Sequence, residues 1–356
     1  MITSPAFKNR KFALLGLARS GLAAAQSLHA GGAQLLAWDN DEAARAKVAD
    51  IATIADPLEA DLKGYDGIVV SPGVPINRHP IADKARESGV PLIGDIELFA
   101  MARPDLPPHR VIGITGTNGK STTTALVHHL LKSAALPTRM AGNIGLPILS
   151  QAPLSAGGVY VLELSSYQID ITQTLACEAA ALINLAPDHL DRYAGYEAYM
   201  ASKARLFAMQ AAKQHSVFGK GDEDTWRIYG DVLAKRGGDV VHLADPDLVK
   251  GQEGWPSLQG PHNLQNVAVA VALVEALGII EAQWLPALAS FKGLAHRMEI
   301  VAERNGILFV NDSKATNAAS TAPALAAYPR IHWIVGGLAK SDNLDECAPN
   351  FGHVVK

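Results

Sequence analysis

The chain has 356 residues, 48% of them hydrophobic and 19% charged, with a formal net charge of −4, a composition that suits a soluble α/β protein of two or three domains. That charge, with no run of Lys and Arg, gives nucleic acid no attractive field, and no apolar stretch reaches the roughly 18 residues of a membrane span. Cys177 and Cys347, the two cysteines, supply neither a disulfide framework nor a metal pair, and the N-terminus lacks a secretory pattern, so a cytoplasmic chain is expected, with no nucleic-acid or membrane partner.

From residue 11 to about 105, apolar segments at 12–15, 34–38 and 67–70 alternate with helical patterns at 20–30 and 81–87, which predicts a parallel sheet. The turn Gly16-Leu17-Ala18-Arg19-Ser20-Gly21 resembles a dinucleotide fingerprint with Ala18 in place of its second glycine, and Asp39 ends the next strand as a ribose-reading acid would. Three readings stay open: an NAD site, a site for UDP or another diphosphate at the same helix N-terminus, or a structural turn. The missing glycine limits the approach of a pyrophosphate and counts against NAD.

Pro104, Pro107 and Pro108 interrupt the helical pattern and place a domain boundary near 107. The run Gly113-Ile114-Thr115-Gly116-Thr117-Asn118-Gly119-Lys120-Ser121 then follows an apolar stretch and opens into a helical pattern at 122–132. Strand, glycine loop and helix together make a phosphate cradle: backbone N–H groups meet phosphate oxygens, Lys120 reaches the β/γ-phosphates from an exposed position, and Ser121 offers its hydroxyl to Mg²⁺. Ile114 stands where the usual loop has its first glycine, so the loop is a variant.

Glu163 closes a predicted strand at 159–164, at the edge where open α/β sheets bind ligands, and is either a Mg²⁺ ligand or a solvated strand-end carboxylate. A strand at 181–185 leads into Asp188, His189 and Asp191. Imidazole suits a transition metal better than Mg²⁺, so His189 is either a ligand or a loop cap. In the helical segment 197–207, Lys203 shares an apolar face with Tyr196, Tyr199, Leu206 and Phe207. It is either a desolvated, nucleophilic amine or a side chain that snorkels to water. His262, Asn263 and Asn266 begin a helix as caps or as readers of a base edge. A third change comes at 293–297, followed by strands at 307–310 and 332–335 flanking a helix at 318–327, with another strand beginning at 353–356. The loop 311–317 holds Asp312, Lys314 and Thr316, either an anion or substrate site or a plain surface ion pair. About 60 residues with so few strands cannot cover a sheet on both faces, so this last domain is expected to be incomplete.

Ser71-Pro72-Gly73, Gly94-Asp95-Ile96-Glu97-Leu98-Phe99, Thr115 to Thr122, Gly142-Asn143-Ile144-Gly145, Leu162 to Gln168, Asp188 to Tyr193, His262-Asn263 with Asn266, His296-Arg297 and Asn311 to Asn317 occur in an order that resembles the Mur ligase family. The resemblance implies an α/β fold of three domains: a Rossmann-like domain at 1–106 for a UDP-linked substrate, a P-loop ATPase domain at 107–294, and part of a C-terminal Rossmann-like domain at 295–356. It implies a monomeric ATP- and Mg²⁺-dependent ligase that joins D-glutamate to UDP-N-acetylmuramoyl-L-alanine through an acyl phosphate. Lys120, Glu163, His189 and Lys203 would be catalytic; Ser121, Glu163, His189 and Lys203, the last as a carbamate, would serve Mg²⁺. Gly116, Thr117, Asn118, Gly119, Lys120, Ser121, Thr122, Asn263, Asn266, Arg297 and Asp312 would bind ATP. Leu17, Ala18, Arg19, Asp39, Ser71, Gly73, Asn143, Ser165, Lys314 and Thr316 would bind the other substrates. The rivals are a related ligase for another amino acid and a non-catalytic nucleotide-binding module.

Overall fold

The computed structural model describes residues 1–189, 191–337 and 343–355; Leu190 of the Asp188–Asp191 run and the last residue of the strand expected at 353–356 lie outside them. Two compact units are built from interleaved stretches of chain, one from Met1–Thr115, Leu136–Ala180 and Ala186–Gln214, the other from Gly116–Ala135, Ala181–Leu185 and the chain from His215 onward.

In the first unit β1 (Lys11–Leu15), β2 (Gln34–Trp38), β3 (Thr53–Ile54), β4 (Gly67–Val70) and β5 (Leu92–Ile93) form a sheet in the order β3-β2-β1-β4-β5. Every pair is parallel. The winding direction reverses beside β1, so the loops that leave the carboxyl ends of β1 and β4 diverge and open a crevice there. The helix Arg19–Ala30 follows β1. It packs closely because Gly21 has no side chain: a Cβ there would lie 1.9 Å from the Gly16 carbonyl oxygen. Ala13, Leu15, Leu36, Ile68 and Val70 bury one face of the sheet against Leu62, Ile81, Ala85 and Val90, each full burial of a large aliphatic side chain contributing about 1.5–3 kcal/mol.

The same unit holds β6 (His109–Thr115), β7 (Thr138–Gly142) and β8 (Gly158–Glu163), with β8 parallel to both others and every one of its residues buried. The helices Ser166–Asp170 and Tyr196–Ala208 complete it, the second burying Tyr199, Met200, Lys203, Leu206 and Phe207. β9 (Ala179–Leu182) falls across the division, two residues earlier than its apolar run predicts.

The second unit carries the helix Lys120–Ser133, the parallel pair β10 (His215–Gly219) and β11 (Val241–Ala244), and the helix Pro261–Glu275. Toward its C-terminal end two expectations change. The strand expected at 307–310 forms as β13 (Ile307–Asn311), yet its partner is β12 (Glu299–Arg304), antiparallel, joined through Asn305 and Gly306 at φ +52° and +73°. Asn-Gly is the turn that matches the twist of a two-residue hairpin, and it was legible in the sequence. No strand forms at 332–335: Ile331 makes a lone bridge to Val354, and Ile334 is 97% exposed. An apolar segment with no ladder beside it gains too little to hold an extended backbone. The helix Ala318–Leu325 instead packs with Cys347.

Candidate functional site

In the first unit, Leu17 is buried and contributes its backbone, donating its N–H to Asp39 Oδ2 at 2.6 Å, while Asp39 Oδ1 accepts from the Asp41 N–H at 2.9 Å. Both carboxylate oxygens are thus engaged inside the turn. Ala18 is the extended N-cap of the helix Arg19–Ala30, the Arg19 guanidinium donates to the Gly145 carbonyl at 2.5 Å, and Ser71 Oγ donates to the Gly16 carbonyl at 2.8 Å. Ser71 also lines a cavity of about 330 Å³ with Pro72, Tyr167, Asp170, Arg192 and Tyr193, within the range of small-ligand sites. Gly73, beside it, has open space around its α-carbon.

Glu163 is 2% exposed, so the solvated strand-end reading does not hold. Gly142 has φ +93°, and a Cβ there would lie 2.1 Å from the Glu163 carbonyl oxygen, so only glycine lets the chain turn across the end of β8. Asn143 then donates its backbone N–H to the Glu163 carbonyl and its Nδ2 to Glu163 Oε1, both at 2.9 Å. Glu163 Oε2 is buried with no hydrogen-bond partner among the described residues. A buried, unpartnered carboxylate oxygen fits a hard cation.

Ser165 caps the helix Ser166–Asp170 in a capping box with Gln168. His189 is exposed, in the left-handed region at φ +53°, with Nε2 3.6 Å from Asp188 Oδ2. Lys203 does not snorkel: it is 1% exposed, with Nζ 3.4 Å from Thr115 Oγ1 and 4.7 Å from the centroid of the Tyr199 ring. Among the described residues no three or more His, Cys, Asp or Glu side chains converge on one point.

In the second unit, Thr117 donates its N–H to the Asn184 carbonyl at 2.9 Å and Asn118 its N–H to Asn184 Oδ1 at 2.8 Å. Gly119 has φ +82°, and a Cβ there would lie 2.2 Å from Asn266 Oδ1. Lys120 is half-buried rather than exposed and donates to the Gly116 and Thr117 carbonyls at 3.0 and 2.8 Å. Ser121 Oγ lies 3.2 Å from Arg297 Nη2. Asn118, Gly119 and Thr122 line a cavity of about 100 Å³ together with Asn263, Asn266, Arg297, Asp312 and Lys314. The sequence set these groups as much as two hundred residues apart; the fold of one unit brings them together.

Asn263 and Asn266 are both 3% exposed and spend hydrogen bonds within the protein, Asn266 Nδ2 on Asn263 Oδ1 at 3.0 Å and Thr123 Oγ1 on Asn266 Oδ1 at 3.2 Å. Burial pushes the Asp312 carboxyl up, opposed by the Met298 N–H, 3.0 Å from Oδ1, and by the Arg297 charge. Thr316 is exposed and is not among the residues lining this cavity.

One residue escaped the sequence reading. Asn184 braces the loop, and its signal was a lone amide at the end of an apolar strand pattern. His262, expected as a cap or a base-edge reader, lines the same cavity with a buried Nδ1 that has no partner among the described residues, and burial lowers its pKa to about 4, which leaves the ring neutral.

The sequence matches the Mur ligase middle domain over residues 114–274. It is similar to the UDP-N-acetylmuramoylalanine--D-glutamate ligase of Novosphingobium aromaticivorans, 68% identical over 355 residues that cover 100% of this chain and 80% of that one. The ligase of the same name from Zymomonas mobilis is 51% identical, over 99% of this chain and 82% of its own length. Among solved structures, MurF from Acinetobacter baumannii aligns with a TM-score of 0.54 at 17% identity, covering 83% of this chain and 67% of that one, a likeness of fold. The extent of the match at that identity shows that the chain belongs to the Mur ligase family, among the UDP-N-acetylmuramoylalanine--D-glutamate ligases.

Proposed function

We propose that the chain is an ATP-dependent ligase that adds D-glutamate to UDP-N-acetylmuramoyl-L-alanine in cytoplasmic peptidoglycan precursor synthesis. The observation that carries this is the match, across nearly the whole chain, to relatives named for that activity, and a phosphate loop of the required chemistry supports it. A carboxylate resists amines because its leaving group would be oxide. Transfer of the ATP γ-phosphoryl to the substrate carboxylate, with release of ADP, converts that oxygen into a phosphate leaving group. The D-glutamate nitrogen then attacks the carbonyl carbon, the C–O bond breaks, phosphate departs, and the nitrogen loses a proton.

The residue roles are likewise proposals. Lys120 and the loop Gly116-Thr117-Asn118-Gly119 hold the phosphates, with Thr122, Arg297 and Asp312 beside the nucleotide and Asn263 and Asn266 toward its base. Ser121 and Glu163 Oε2 are each suited to Mg²⁺ as oxygen donors, and His189 keeps the ligand role that the family resemblance implies; the ion, when bound, supplies positive charge to the phosphate oxygens. Lys203, buried among aromatic and aliphatic neighbours, is suited to add CO₂ as a carbamate, which turns a desolvated amine into an oxygen donor. Leu17, Ala18, Arg19, Asp39, Ser71 and Gly73 take the UDP end, Asn143 and Ser165 the muramoyl end, and Lys314 and Thr316 the amino acid. The division into domains at 1–106, 107–294 and 295–356 and a monomeric state belong to the same reading. Among the described residues no helix is long and apolar enough to cross a membrane.

Phosphate release from Mg·ATP by the purified chain tests it. Release is expected only with UDP-N-acetylmuramoyl-L-alanine and D-glutamate together, and Lys120→Ala should slow it more than tenfold, a barrier increase above about 1.4 kcal/mol. Release that is indifferent to either acceptor, or that favours another amino acid, overturns the assignment.

A further inference from the structure

The run Gly94-Asp95-Ile96-Glu97 opens the helix Asp95–Ala102, and none of the roles above uses it. Glu97 is a carboxylate only 4% exposed, and it spends itself on one stretch of chain. Its Oε2 accepts from the Gln173 N–H at 2.6 Å and the Thr174 N–H at 3.0 Å, and its Oε1 accepts from Thr174 Oγ1 at 2.6 Å. Gly94 leaves room for the same stretch, since a Cβ there would lie 2.8 Å from Ile171 Cδ1. Two backbone N–H groups and one hydroxyl thus converge on a single buried side chain, which holds that stretch of backbone in place.

That stretch connects to the candidate site at both ends. Upstream are Ser165, in its capping box with Gln168, and Tyr167, Asp170 and Ile171, which line the 330 Å³ cavity. Across from it lies the helix that carries Lys203, and two of that helix's side chains reach over: Ser202 Oγ donates to the Ser166 carbonyl at 3.1 Å, and Arg205 Nη2 to the Thr172 carbonyl at 3.1 Å. Tyr193 Oη closes the group by donating to Asp170 Oδ2 at 2.8 Å.

We infer that Glu97 is a positioning residue: it clamps the end of the 165–174 segment and thereby sets Ser165, the cavity wall and the helix of Lys203 for the UDP-linked acceptor. This rests on the ligase reading given above. Glu97 touches no reacting atom. Its effect is expected on the acceptor, whose binding groups it orients, while the phosphate loop lies in the other compact unit and should be indifferent.

The test compares wild type with Glu97→Gln, which keeps the shape and loses the charge, and Thr174→Val, which removes the hydroxyl donor. Steady-state kinetics should show KM for UDP-N-acetylmuramoyl-L-alanine raised about tenfold in Glu97→Gln, with KM for ATP within about twofold. Hydrogen exchange of the amides at 165–174 should quicken in the same variant, and Thr174→Val should shift both readouts the same way by less. An acceptor KM within twofold of wild type in folded Glu97→Gln, or a parallel rise for ATP, overturns the inference. A wild-type chain that ligates nothing refutes the ligase reading instead, and unchanged exchange at 165–174 then refutes the clamp independently of it.

Discussion

Asp95, two residues before Glu97, is 3% exposed, and neither of its carboxylate oxygens has a hydrogen-bond partner among the described residues. Burial raises its pKa from 3.8 to about 6, against the opposing pull of the Ile96 and Asp95 backbone groups and the Gln168 side chain. Because the folded value lies above the unfolded one, the favourable contribution is complete below about pH 4 and is lost as the pH rises through 6. Above that, the ionised group costs about 3 kcal/mol. Asp95→Asn removes the charge and keeps the shape, so its melting temperature should exceed that of wild type at pH 8, with the gap closing toward pH 4. A gap that does not change with pH would show that Asp95 is solvated or paired in solution. Glu97, about as deeply buried, has three donors within hydrogen-bond distance.

At the level of elements, the loop 116–120 proposed to hold phosphate depends on glycine where the backbone is left-handed and crowded at once. Gly119 meets both conditions, with φ +82° and Asn266 Oδ1 2.2 Å from where a Cβ would be. Gly119→Ala should therefore weaken Mg·ATP binding by at least tenfold in calorimetry, from left-handed strain of about 1–2 kcal/mol together with displacement of Asn266. Equal affinity in wild type and Gly119→Ala would mean that the loop can relax. The hairpin β12–β13 obeys the same rule in reverse, since its Asn305-Gly306 turn accepts positive φ readily and so fixes the antiparallel register.

For the molecule as a whole, a ligand that binds only the folded chain raises its stability by mass action, about 2.7 kcal/mol at a hundred times its Kd. The turn at Gly16–Gly21 has Ala18 at its helix N-cap, and Asp39 already satisfies two backbone N–H groups, Leu17 and Asp41. A UDP-N-acetylmuramoyl ligand should raise the melting temperature where NAD at equal concentration does not; a shift with NAD alone would return the turn to a dinucleotide reading. The parallel sheet, the strand–glycine loop–helix at 109–133 and the apolar face bearing Lys203 were determined by the sequence alone, because glycine spacing and the periods of strands and helices are local signals. Tertiary structure decided the rest. The strand expected at 332–335 found no neighbour to pair with, and β13 took its partner from the hairpin instead. Glu97 meets Thr174 across 77 residues, and Arg297 reaches Ser121 across 176. A buried polar group is defined by what surrounds it after folding, and no local pattern in a chain records which distant donor will be 3 Å away.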